Sequence, residues 1–179
     1  MIRAVFLDRD GVVNAITKRN GVPASPRTPD ELRIESDAPG TVRFLKRAGF
    51  KVFVVTNQPD VRRGLMSGAS LDAIHAKLAT AVPVDDIADC RHDNADNCHC
   101  RKPKPGLLLD LALVHGVDLS QSWMIGDQDR DITCGQAAGC RTILLKRPYN
   151  SGAGTGADQV LESLSQVIPV IADAQRLCA

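Results

Sequence analysis

The chain has 179 residues, a formal net charge of +1 and 44% apolar residues, which is the composition of a globular protein with one full hydrophobic core. The near-neutral charge gives no overall field for nucleic acid or an anionic membrane, and 3% aromatic residues leave few platforms for stacking bases. The apolar stretches, such as Val52–Val55, are too short to cross a bilayer. We therefore expect a single domain over 1–179 without nucleic-acid or membrane partners.

The N-terminus and the cysteines indicate the compartment. Met1-Ile2-Arg3 leads directly into a strand-like run rather than into a basic-then-apolar leader, so we expect no signal peptide and a cytoplasmic protein. In a reducing cytosol, clustered cysteines indicate a metal site before a disulfide, and the chain has six cysteines. No exposed apolar repeat is evident, and we expect a monomer.

Short apolar runs without alternation predict strands that are buried on both faces of a parallel sheet. In chain order these runs are Ala4–Leu7, Val52–Val55, Ile87–Ala88, Trp123–Ile125 and Thr142–Leu145. The stretches between them that fit helices are Gly40–Ala48, Leu71–Ala81, Gly106–Val114 and Asp131–Ala138. Ser70 is the predicted N-cap of the second helix, and Gly49, Gly116 and Gly139 stand where helices end. This alternation predicts a doubly wound, mostly parallel, Rossmann-like α/β fold.

Three further segments complete the predicted organisation. Gly11–Pro39 holds four prolines with little periodicity, and we expect this irregular loop to wrap over the mouth of the active site. Ser151–Gly156 is glycine-rich and is interpreted as a flexible connection, because no strand and helix frame it as a phosphate-binding loop. Asp158–Val167 and then Ile168–Leu177 predict a last strand and helix at the edge of the sheet.

Polar residues of one chemical kind follow three of the predicted strands. Asp8-Arg9-Asp10-Gly11 follows the first, Thr56-Asn57-Gln58 the second, and Gly126-Asp127 the fourth. A basic run, Arg101-Lys102-Pro103-Lys104-Pro105, precedes a predicted helix. Because open parallel sheets bind ligands at the carboxyl ends of their strands, these residues are candidates for one site.

The chemistry of phosphate monoester hydrolysis matches this set. The reaction needs a nucleophile, a proton for the leaving oxygen, positive charge on the phosphoryl oxygens and hydrogen-bond donors. Asp8 and Asp10 can divide the first two roles, Lys102 supplies fixed charge, and Thr56 supplies a hydrogen bond. Asp127 can share Mg²⁺ with Asp8, since this hard cation prefers carboxylate, water and phosphate oxygens. Each motif alone could be a turn, a helix cap or a solvated charge, but together they indicate a phosphatase.

The motifs also resemble those of the haloacid-dehalogenase-like phosphatase superfamily. The matching residues are Asp8-Arg9-Asp10-Gly11-Val12-Val13-Asn14, Thr56-Asn57-Gln58, Lys102 and Gly126-Asp127-x-x-x-Asp131. The resemblance implies that Asp8 is phosphorylated and that Asp10 acts first as general acid and then as general base.

The same resemblance implies how substrate and metal are held. Thr56 and Asn57 would bind the phosphoryl group, and Lys102 would neutralise it. Asp8, Asp127 and the backbone carbonyl of Asp10 would ligate Mg²⁺. Asp131 would support the metal without ligating it directly.

A second constellation lies between residues 90 and 100. Cys90, His92, Cys98 and Cys100 offer three thiolates and one imidazole, a closed tetrahedral set typical of structural zinc. His99 is interpreted as the spare, because alternation along the chain directs it away from its neighbours. The alternative is a reduced loop without metal.

The position of the predicted zinc loop, residues 90–100, gives it a purpose. Cys100 directly precedes Arg101 and Lys102, so zinc would fix a loop whose next residues meet the substrate. The remaining cysteines, Cys134, Cys140 and Cys178, are predicted to be small core or surface residues.

The Cys-x-His…Cys-x-Cys-Arg-Lys-Pro pattern resembles one group of the superfamily, the D-glycero-D-manno-heptose 1,7-bisphosphate 7-phosphatases, and the related histidinol-phosphate phosphatases. These proteins are capless, meaning that no separate domain covers the site. The resemblance implies a small phosphorylated sugar as substrate, first the heptose bisphosphate, with histidinol phosphate or another sugar or polyol phosphate as alternatives. It also implies a role in lipopolysaccharide precursor biosynthesis. Arg101 favours a doubly phosphorylated substrate, since a guanidinium group can grip a second phosphate.

One segment departs from the heptose pattern. Where those enzymes continue Ser-Gly-(Ile/Val)-(Ala/Gly)-Arg-Gly, this chain has Pro59-Asp60-Val61-Arg62-Arg63-Gly64. The charges of Asp60 and Arg62 leave the chemistry intact but put the sugar specificity in question. Arg63 either stabilises this segment or is a surface charge.

Two other classes of protein fit part of the pattern. A phospho-receiver signalling domain also places acidic residues, a Thr and a Lys at strand ends. Asp10 argues against it, because only turnover needs an acid beside the nucleophile, and a receiver has no need of the zinc loop. A catalytically silent zinc scaffold would lack catalytic residues, and here the whole set is present.

Overall fold

The protein is described by a computed structural model that covers residues 2–152 and 156–176, with the backbone alone beyond residue 173. The strands are β1 (Arg3–Leu7), β2 (Thr17–Arg19), β3 (Val22–Ala24), β4 (Phe50–Asn57), β5 (Asp86–Cys90), β6 (Trp123–Gly126), β7 (Arg141–Leu145) and β8 (Gln159–Leu161). The α-helices are α1 (Ala38–Arg47), α2 (Gly68–Ala81), α3 (Gly106–His115), α4 (Asp129–Ala137) and α5 (Val167–Arg176). All five strands and all four helices expected before residue 150 are therefore confirmed.

Six of the strands form one sheet in the order β5-β4-β1-β6-β7-β8, and all of its neighbouring pairs are parallel. The chain starts at β1 in the middle, moves outward to β4 and β5, and then crosses back to β6 and beyond. This is the doubly wound topology that the sequence predicts. Its switch point lies between β1 and its neighbours, where ligands bind in such sheets.

Side chains of the central strands alternate between two cores. Val5 and Leu7 pack into one cluster with residues of α1, α2 and α5. Ala4 and Phe6 pack into the other with residues of α3 and α4. Because successive strand residues point to opposite faces, an unbroken apolar run is what a sheet covered by helices on both faces requires.

Three helices begin earlier than predicted, α1 and α4 by two residues each, and the cap of α2 differs as well. α2 begins three residues earlier than expected, and its N-cap is Ser67, whose hydroxyl accepts a hydrogen bond from the Ser70 amide at 3.0 Å. The predicted cap Ser70 lies inside the first turn, where its hydroxyl donates to the Arg27 carbonyl. The three helix-ending glycines predicted from the sequence do adopt positive φ.

The expectation of an irregular Gly11–Pro39 loop is partly wrong. The segment contains an antiparallel hairpin of β2 and β3 and a short 3-10 helix at Pro29–Glu31. A two-residue turn at Asn20-Gly21, both with positive φ, joins the hairpin strands. In the described part of the chain, no insertion of domain size interrupts the sheet, as the capless prediction requires.

The C-terminal segment lies where it was expected. β8 pairs with β7 at the edge of the sheet, and α5 packs beside α1. Within the loop predicted at 151–156, residues 153–155 lie outside the described residues, as do Leu177 and Cys178. Cys134 and Cys140, predicted to be either core or surface residues, are both buried. Among residues 2–152 and 156–176, no helix is both long and apolar enough to span a bilayer.

Candidate active site

The predicted catalytic residues meet at the carboxyl edge of the sheet. Asp8 follows β1, Thr56 and Asn57 end β4, and Asp127 follows β6. Lys102 reaches the same edge from the loop before α3. A polar cavity of about 110 Å³ opens here. The predicted site residues that line it are Asp8, Asp10, Thr56, Asn57 and Lys102.

Lys102 is the buried cation of the site. Its Nζ lies 2.8 Å from Asp8 Oδ1, 2.6 Å from Asp131 Oδ1 and 2.9 Å from the Val55 carbonyl oxygen. Burial alone would lower the pKa of this lysine, but the carboxylates of Asp131 and Asp8 raise it, so the ammonium group stays charged. Asp131 therefore pairs with Lys102 as well as lying beside Asp8 and Asp127.

Three carboxylates crowd around this one cation. The oxygens of Asp8, Asp127 and Asp131 lie within 4.8 Å of one another. If all three carboxyls were ionised, Lys102 would balance one of the three negative charges and leave two in a buried place. Asp127 Oδ1 is buried and has no hydrogen-bond partner among the described residues. A divalent cation fits this donor set. It would balance the negative charge, it prefers carboxylate oxygens as ligands, and it would use the lone pairs of Asp127 Oδ1.

The pKa values of two of these carboxyls reflect the same crowding. Burial and the neighbouring carboxylates Asp131 and Asp127 raise the pKa of Asp8 to about 7, although Lys102 opposes the shift. Burial, with Asp131, raises the pKa of Asp127 to about 6 against the hydrogen bond from Tyr149. Without a cation, the ionised forms are therefore disfavoured.

Asp10 is held differently from Asp8. Its carboxylate accepts hydrogen bonds from four side chains, those of Arg9, Asn14, Ser25 and Gln58, at 2.8–3.2 Å. Burial would raise the pKa of Asp10, but the Arg9 guanidinium and the bonds from Asn14, Gln58 and Ser25 hold it below its ordinary value. Asp10 thus lines the cavity in its ionised form, and its side chain lies outside the carboxylate cluster.

The residues that end β4 have distinct contacts. Thr56 Oγ1 lies at the cavity and accepts a hydrogen bond from Gln58 Nε2 at 2.8 Å. The Asn57 side chain bonds both the amide and the carbonyl of Lys102, at 3.1 and 3.0 Å. Asn57 therefore fixes the backbone of Lys102 while also lining the cavity.

The four predicted zinc ligands converge at the end of β5. The three distances between sulfur atoms are 3.2–3.6 Å, and two sulfur atoms lie 3.4 and 3.7 Å from His92 Nδ1. Zinc–sulfur bonds of ~2.3 Å in a tetrahedron place the sulfurs ~3.8 Å apart, so the cluster is close to the size that zinc requires. Burial raises the pKa of the Cys90 thiol, which a bound cation would reverse. The spare, His99, contacts Asp110 instead.

The zinc loop is tied directly to the cavity. The Gln58 amide donates to the Cys90 carbonyl at 2.7 Å, and Lys102 follows Cys100 by two residues. Arg63 bonds Asp93 at 2.6 Å and lies 3.7 Å from Asp60. Of the two interpretations of Arg63, these contacts favour the one in which it stabilises this segment.

Arg101 does not line the central cavity but a larger one of about 280 Å³ next to it, which shares Ser25, Asn57 and Arg130 with the first. Five arginines line this outer cavity. Three of them are neutralised by carboxylates, namely Arg19 by Glu31, Arg27 by Asp60 and Arg63 by Asp93.

The other two arginines have no carboxylate at ion-pair distance among the described residues. Arg101 donates only to neutral oxygens, those of the Asn94 side chain and the His92 carbonyl. Arg130 has no ion-pair partner among the described residues and lines both cavities. Of the two charges that depart from the heptose pattern, Asp60 lines the outer cavity, whereas Arg62 lies outside its lining and pairs with Asp96 at the surface.

Several residues that surround the site have no role in the prediction from the sequence. Arg9 and Ser25 hold Asp10, and Tyr149 and Asn150 contact Asp127. Tyr149 and Asn150 lie in the loop after β7, at the same carboxyl edge as the catalytic motifs. Their position after a strand of the sheet could have indicated a role in the site, because every loop at this edge of a parallel sheet can contribute residues to it.

Comparison with known proteins agrees with this geometry. Residues 99–167 match the HAD-hydrolase-like family model. The D-glycero-beta-D-manno-heptose-1,7-bisphosphate 7-phosphatase of Pseudomonas aeruginosa is 38% identical over 148 residues, covering 79% of this chain and 80% of the relative. The enzyme of the same name from Bordetella bronchiseptica is 36% identical and covers 81% of each chain.

The chain therefore belongs to the haloacid-dehalogenase-like phosphatase family. The resemblance stated from the motifs is confirmed, and so is the expectation of a phosphatase. Among solved structures, the crystal structure of the D,D-heptose 1,7-bisphosphate phosphatase of B. bronchiseptica with magnesium and phosphate superposes with a TM-score of 0.82. It is 33% identical and covers 97% of this chain and 99% of that one.

Proposed function

We propose that this phosphatase is Mg²⁺-dependent and removes the 7-phosphate of D-glycero-D-manno-heptose 1,7-bisphosphate through a phosphorylated Asp8. The observation that carries the proposal is the contact of Asp8 with Lys102 beside two further carboxylates at a polar cavity. A nucleophile, a cation for the phosphoryl oxygens and a place for a divalent metal are thereby joined in one site.

The first half of the reaction uses Asp8 and Asp10. Asp8 Oδ1 accepts hydrogen bonds from Lys102 and from the Arg9 amide, so Oδ2 is the oxygen available to attack phosphorus. The bond from phosphorus to the sugar oxygen breaks, and Asp10 donates a proton to that oxygen. Because the free site keeps Asp10 ionised, we expect the arriving phosphate dianion to raise its pKa and allow it to take up that proton.

The second half regenerates the enzyme. Asp10, now ionised, removes a proton from a water molecule whose oxygen attacks the phosphorus of phospho-Asp8, which releases inorganic phosphate and the Asp8 carboxylate. Thr56 donates a hydrogen bond to the phosphoryl group, and Asn57 fixes Lys102 against it. The ionised state in which the four donors hold Asp10 suits this step.

Two metals complete the proposal. Asp8, Asp127 and the backbone carbonyl of Asp10 would hold Mg²⁺, with Asp131 supporting it through Lys102. When bound, Mg²⁺ supplies positive charge for the attacking carboxylate and the phosphoryl oxygens. Zinc on Cys90, His92, Cys98 and Cys100 would fix the loop that carries Lys102 and would have no catalytic part, since the four ligands leave no open position.

The outer cavity supports a doubly phosphorylated substrate. Arg101 and Arg130 line the second cavity without an ion-pair partner among the described residues, and there they would neutralise a phosphate at the far end of a short sugar. The names of the relatives indicate the β-anomer of the heptose bisphosphate. Histidinol phosphate has a single phosphate and uses this second cavity less well, which makes it the alternative.

The proposed assembly is a single-domain monomer that acts in the cytoplasm on a small sugar phosphate. α3 exposes Leu109, Leu113 and Val114, and a second copy packed on these side chains is the alternative. Light scattering of the purified protein distinguishes the two, since a mass near twice the chain mass of 19.2 kDa would rule out the monomer.

The decisive experiment measures phosphate release from four substrates with and without Mg²⁺. These are the α- and β-anomers of heptose 1,7-bisphosphate, histidinol phosphate and fructose 1,6-bisphosphate. We expect the highest kcat/KM with one heptose anomer and no release by Asp8→Asn. A higher kcat/KM with histidinol phosphate would make it the substrate in place of the heptose bisphosphate. A stable phospho-protein without turnover of any substrate would favour a receiver-like signalling role.

A further inference from the structure

The loop after β7 holds Asp127 at two points. The Tyr149 hydroxyl donates a hydrogen bond to Asp127 Oδ2 at 2.5 Å. Asn150 Nδ2 donates to the Asp127 carbonyl oxygen at 2.6 Å and to the Leu145 carbonyl oxygen at 2.9 Å. The side chain and the main chain of Asp127 are therefore both fixed from a segment that carries none of the four catalytic motifs.

The two oxygens of Asp127 have different surroundings. Oδ2 is occupied by Tyr149, whereas Oδ1 is buried without a hydrogen-bond partner. The same carboxylate lies within 4.8 Å of ligand oxygens of Asp8 and Asp131. One oxygen is thus engaged by the protein, and the other keeps its lone pairs for a ligand.

Gly11 makes room for this arrangement. A Cβ atom at residue 11 would lie 2.2 Å from Tyr149 Oη and 2.4 Å from Asp127 Oδ2. Gly11 also has a φ of +85°, which favours glycine on its own account. The hydroxyl and the carboxylate are therefore packed against bare backbone, so neither can move toward residue 11 to change the contact.

We propose that Tyr149 is a positioning residue that makes Oδ1 the preferred metal-binding oxygen of Asp127 and thereby favours Mg²⁺ over Ca²⁺. Mg²⁺ requires nearly octahedral geometry, which the two oxygens of one carboxylate cannot satisfy together, whereas Ca²⁺ accepts bidentate carboxylates in a larger, irregular shell. Engaging Oδ2 disfavours the bidentate mode, because that oxygen would have to share its lone pairs between the Tyr149 hydroxyl and the cation. The inference rests on the proposed function, in which Asp127 ligates Mg²⁺.

The substitution Tyr149→Phe tests this directly, because it removes the hydroxyl and keeps the ring. Isothermal titration of the zinc-loaded protein with Mg²⁺ and separately with Ca²⁺, without substrate, gives the ratio of the two affinities. We expect a roughly tenfold fall in the preference for Mg²⁺, in line with other substitutions of groups that orient metal ligands. Pro148→Ala changes the same loop without touching the hydrogen bond and should keep the wild-type ratio.

The outcomes separate a selective role from a structural one. A loosened loop would weaken both metals alike and lower the melting temperature, and this result, like an unchanged ratio, overturns the inference. A changed ratio at an unchanged melting temperature supports it. If the wild-type protein binds Mg²⁺ and Tyr149→Phe shifts the ratio while no substrate is hydrolysed, the inference stands and the proposed function fails. A wild-type protein that binds no Mg²⁺ overturns both.

Discussion

Two clusters of side chains in this molecule offer ligands to a metal, and they are built in opposite ways. The carboxylate cluster joins Asp8 to Asp127 and Asp131, which are far apart in sequence and meet only because parallel strands end at one edge. The thiol cluster draws all its ligands from residues 90–100 of one loop. The first borders a cavity and includes an oxygen without a partner, whereas the second is a closed set of four.

The difference shows how a protein separates chemistry from support. Oxygen ligands beside a cavity suit a cation that keeps positions open for substrate and water. Thiolates in a closed tetrahedron suit a cation that replaces secondary structure in a loop. The two clusters meet at Lys102, which follows the thiol cluster in sequence and lies 2.8 Å from Asp8.

The largest expected effect is the loss of the nucleophile. Asp8→Asn keeps the size of the side chain but removes the attacking oxygen, so we expect phosphate release to fall about 10⁴-fold or more. Zinc content and the circular dichroism spectrum should not change. Asp30→Asn, in the 3-10 helix away from the site, is the matched control and should keep full activity. Normal turnover by Asp8→Asn would overturn the phospho-aspartate mechanism.

The next effect separates the two clusters. Cys98→Ser removes a thiolate from the closed set, so we expect less than one zinc per chain and a KM raised roughly tenfold, because the loop holding Lys102 and Arg101 loosens. Metal analysis together with steady-state kinetics measures both. Cys140→Ala removes a buried cysteine elsewhere and should keep zinc and KM. Full zinc occupancy with normal kinetics in Cys98→Ser would contradict the structural-zinc proposal.

Protons should compete with Mg²⁺ at the carboxylate cluster. Because the pKa values of Asp8 and Asp127 are raised to about 7 and about 6, Mg²⁺ must displace protons at pH 5 but not at pH 8. We expect the Mg²⁺ affinity, measured by titration calorimetry, to rise about tenfold or more across this range. An affinity that is flat with pH would contradict the assigned cluster.

The same shifts predict the stability of the metal-free protein. A carboxyl whose pKa is raised on folding stabilises the fold only while it is protonated, so its contribution is present at pH 4 and lost as the pH rises through about 7. We therefore expect Mg²⁺ to raise the melting temperature more at pH 7.5 than at pH 5. Equal stabilisation at both values would count against these shifts.

The smallest effect concerns the outer cavity. Arg130→Gln removes a charge that has no ion-pair partner among the described residues, so we expect KM for the bisphosphate to rise about tenfold, the value of one charge-assisted hydrogen bond. KM for a monophosphate should rise less, because only the bisphosphate places a second phosphate in the outer cavity. Kinetics with both substrates measures the difference. Arg62→Gln, which removes a surface arginine paired with Asp96, is the control. An equal rise in KM for the two substrates would show that Arg130 does not bind the second phosphate.

Much of the fold follows from local pattern. The runs that became β1, β4, β6 and β7 are apolar without alternation, and only a sheet covered on both faces can bury them. The hairpin of β2 and β3 was missed because each strand has three residues and carries charged or proline side chains, which leaves no period to detect.

The amino-acid sequence by itself determined the residue types of both clusters and the strands that their residues follow. Cys90–Cys100 is a complete ligand set within one short segment, and Asp8 and Asp127 each follow a recognisable strand. Their placement follows from elements of regular geometry, which local sequence specifies well.

Only the tertiary structure decided which partners hold the catalytic carboxylates. Asp10 receives Ser25 and Gln58 from segments 15 and 48 residues away, and Asp127 receives Tyr149 from 22 residues away. These contacts depend on the paths of irregular loops, whose side chains obey no periodicity. A hydrogen bond across such a distance is fixed by packing of the whole molecule, so no local pattern in the chain records it.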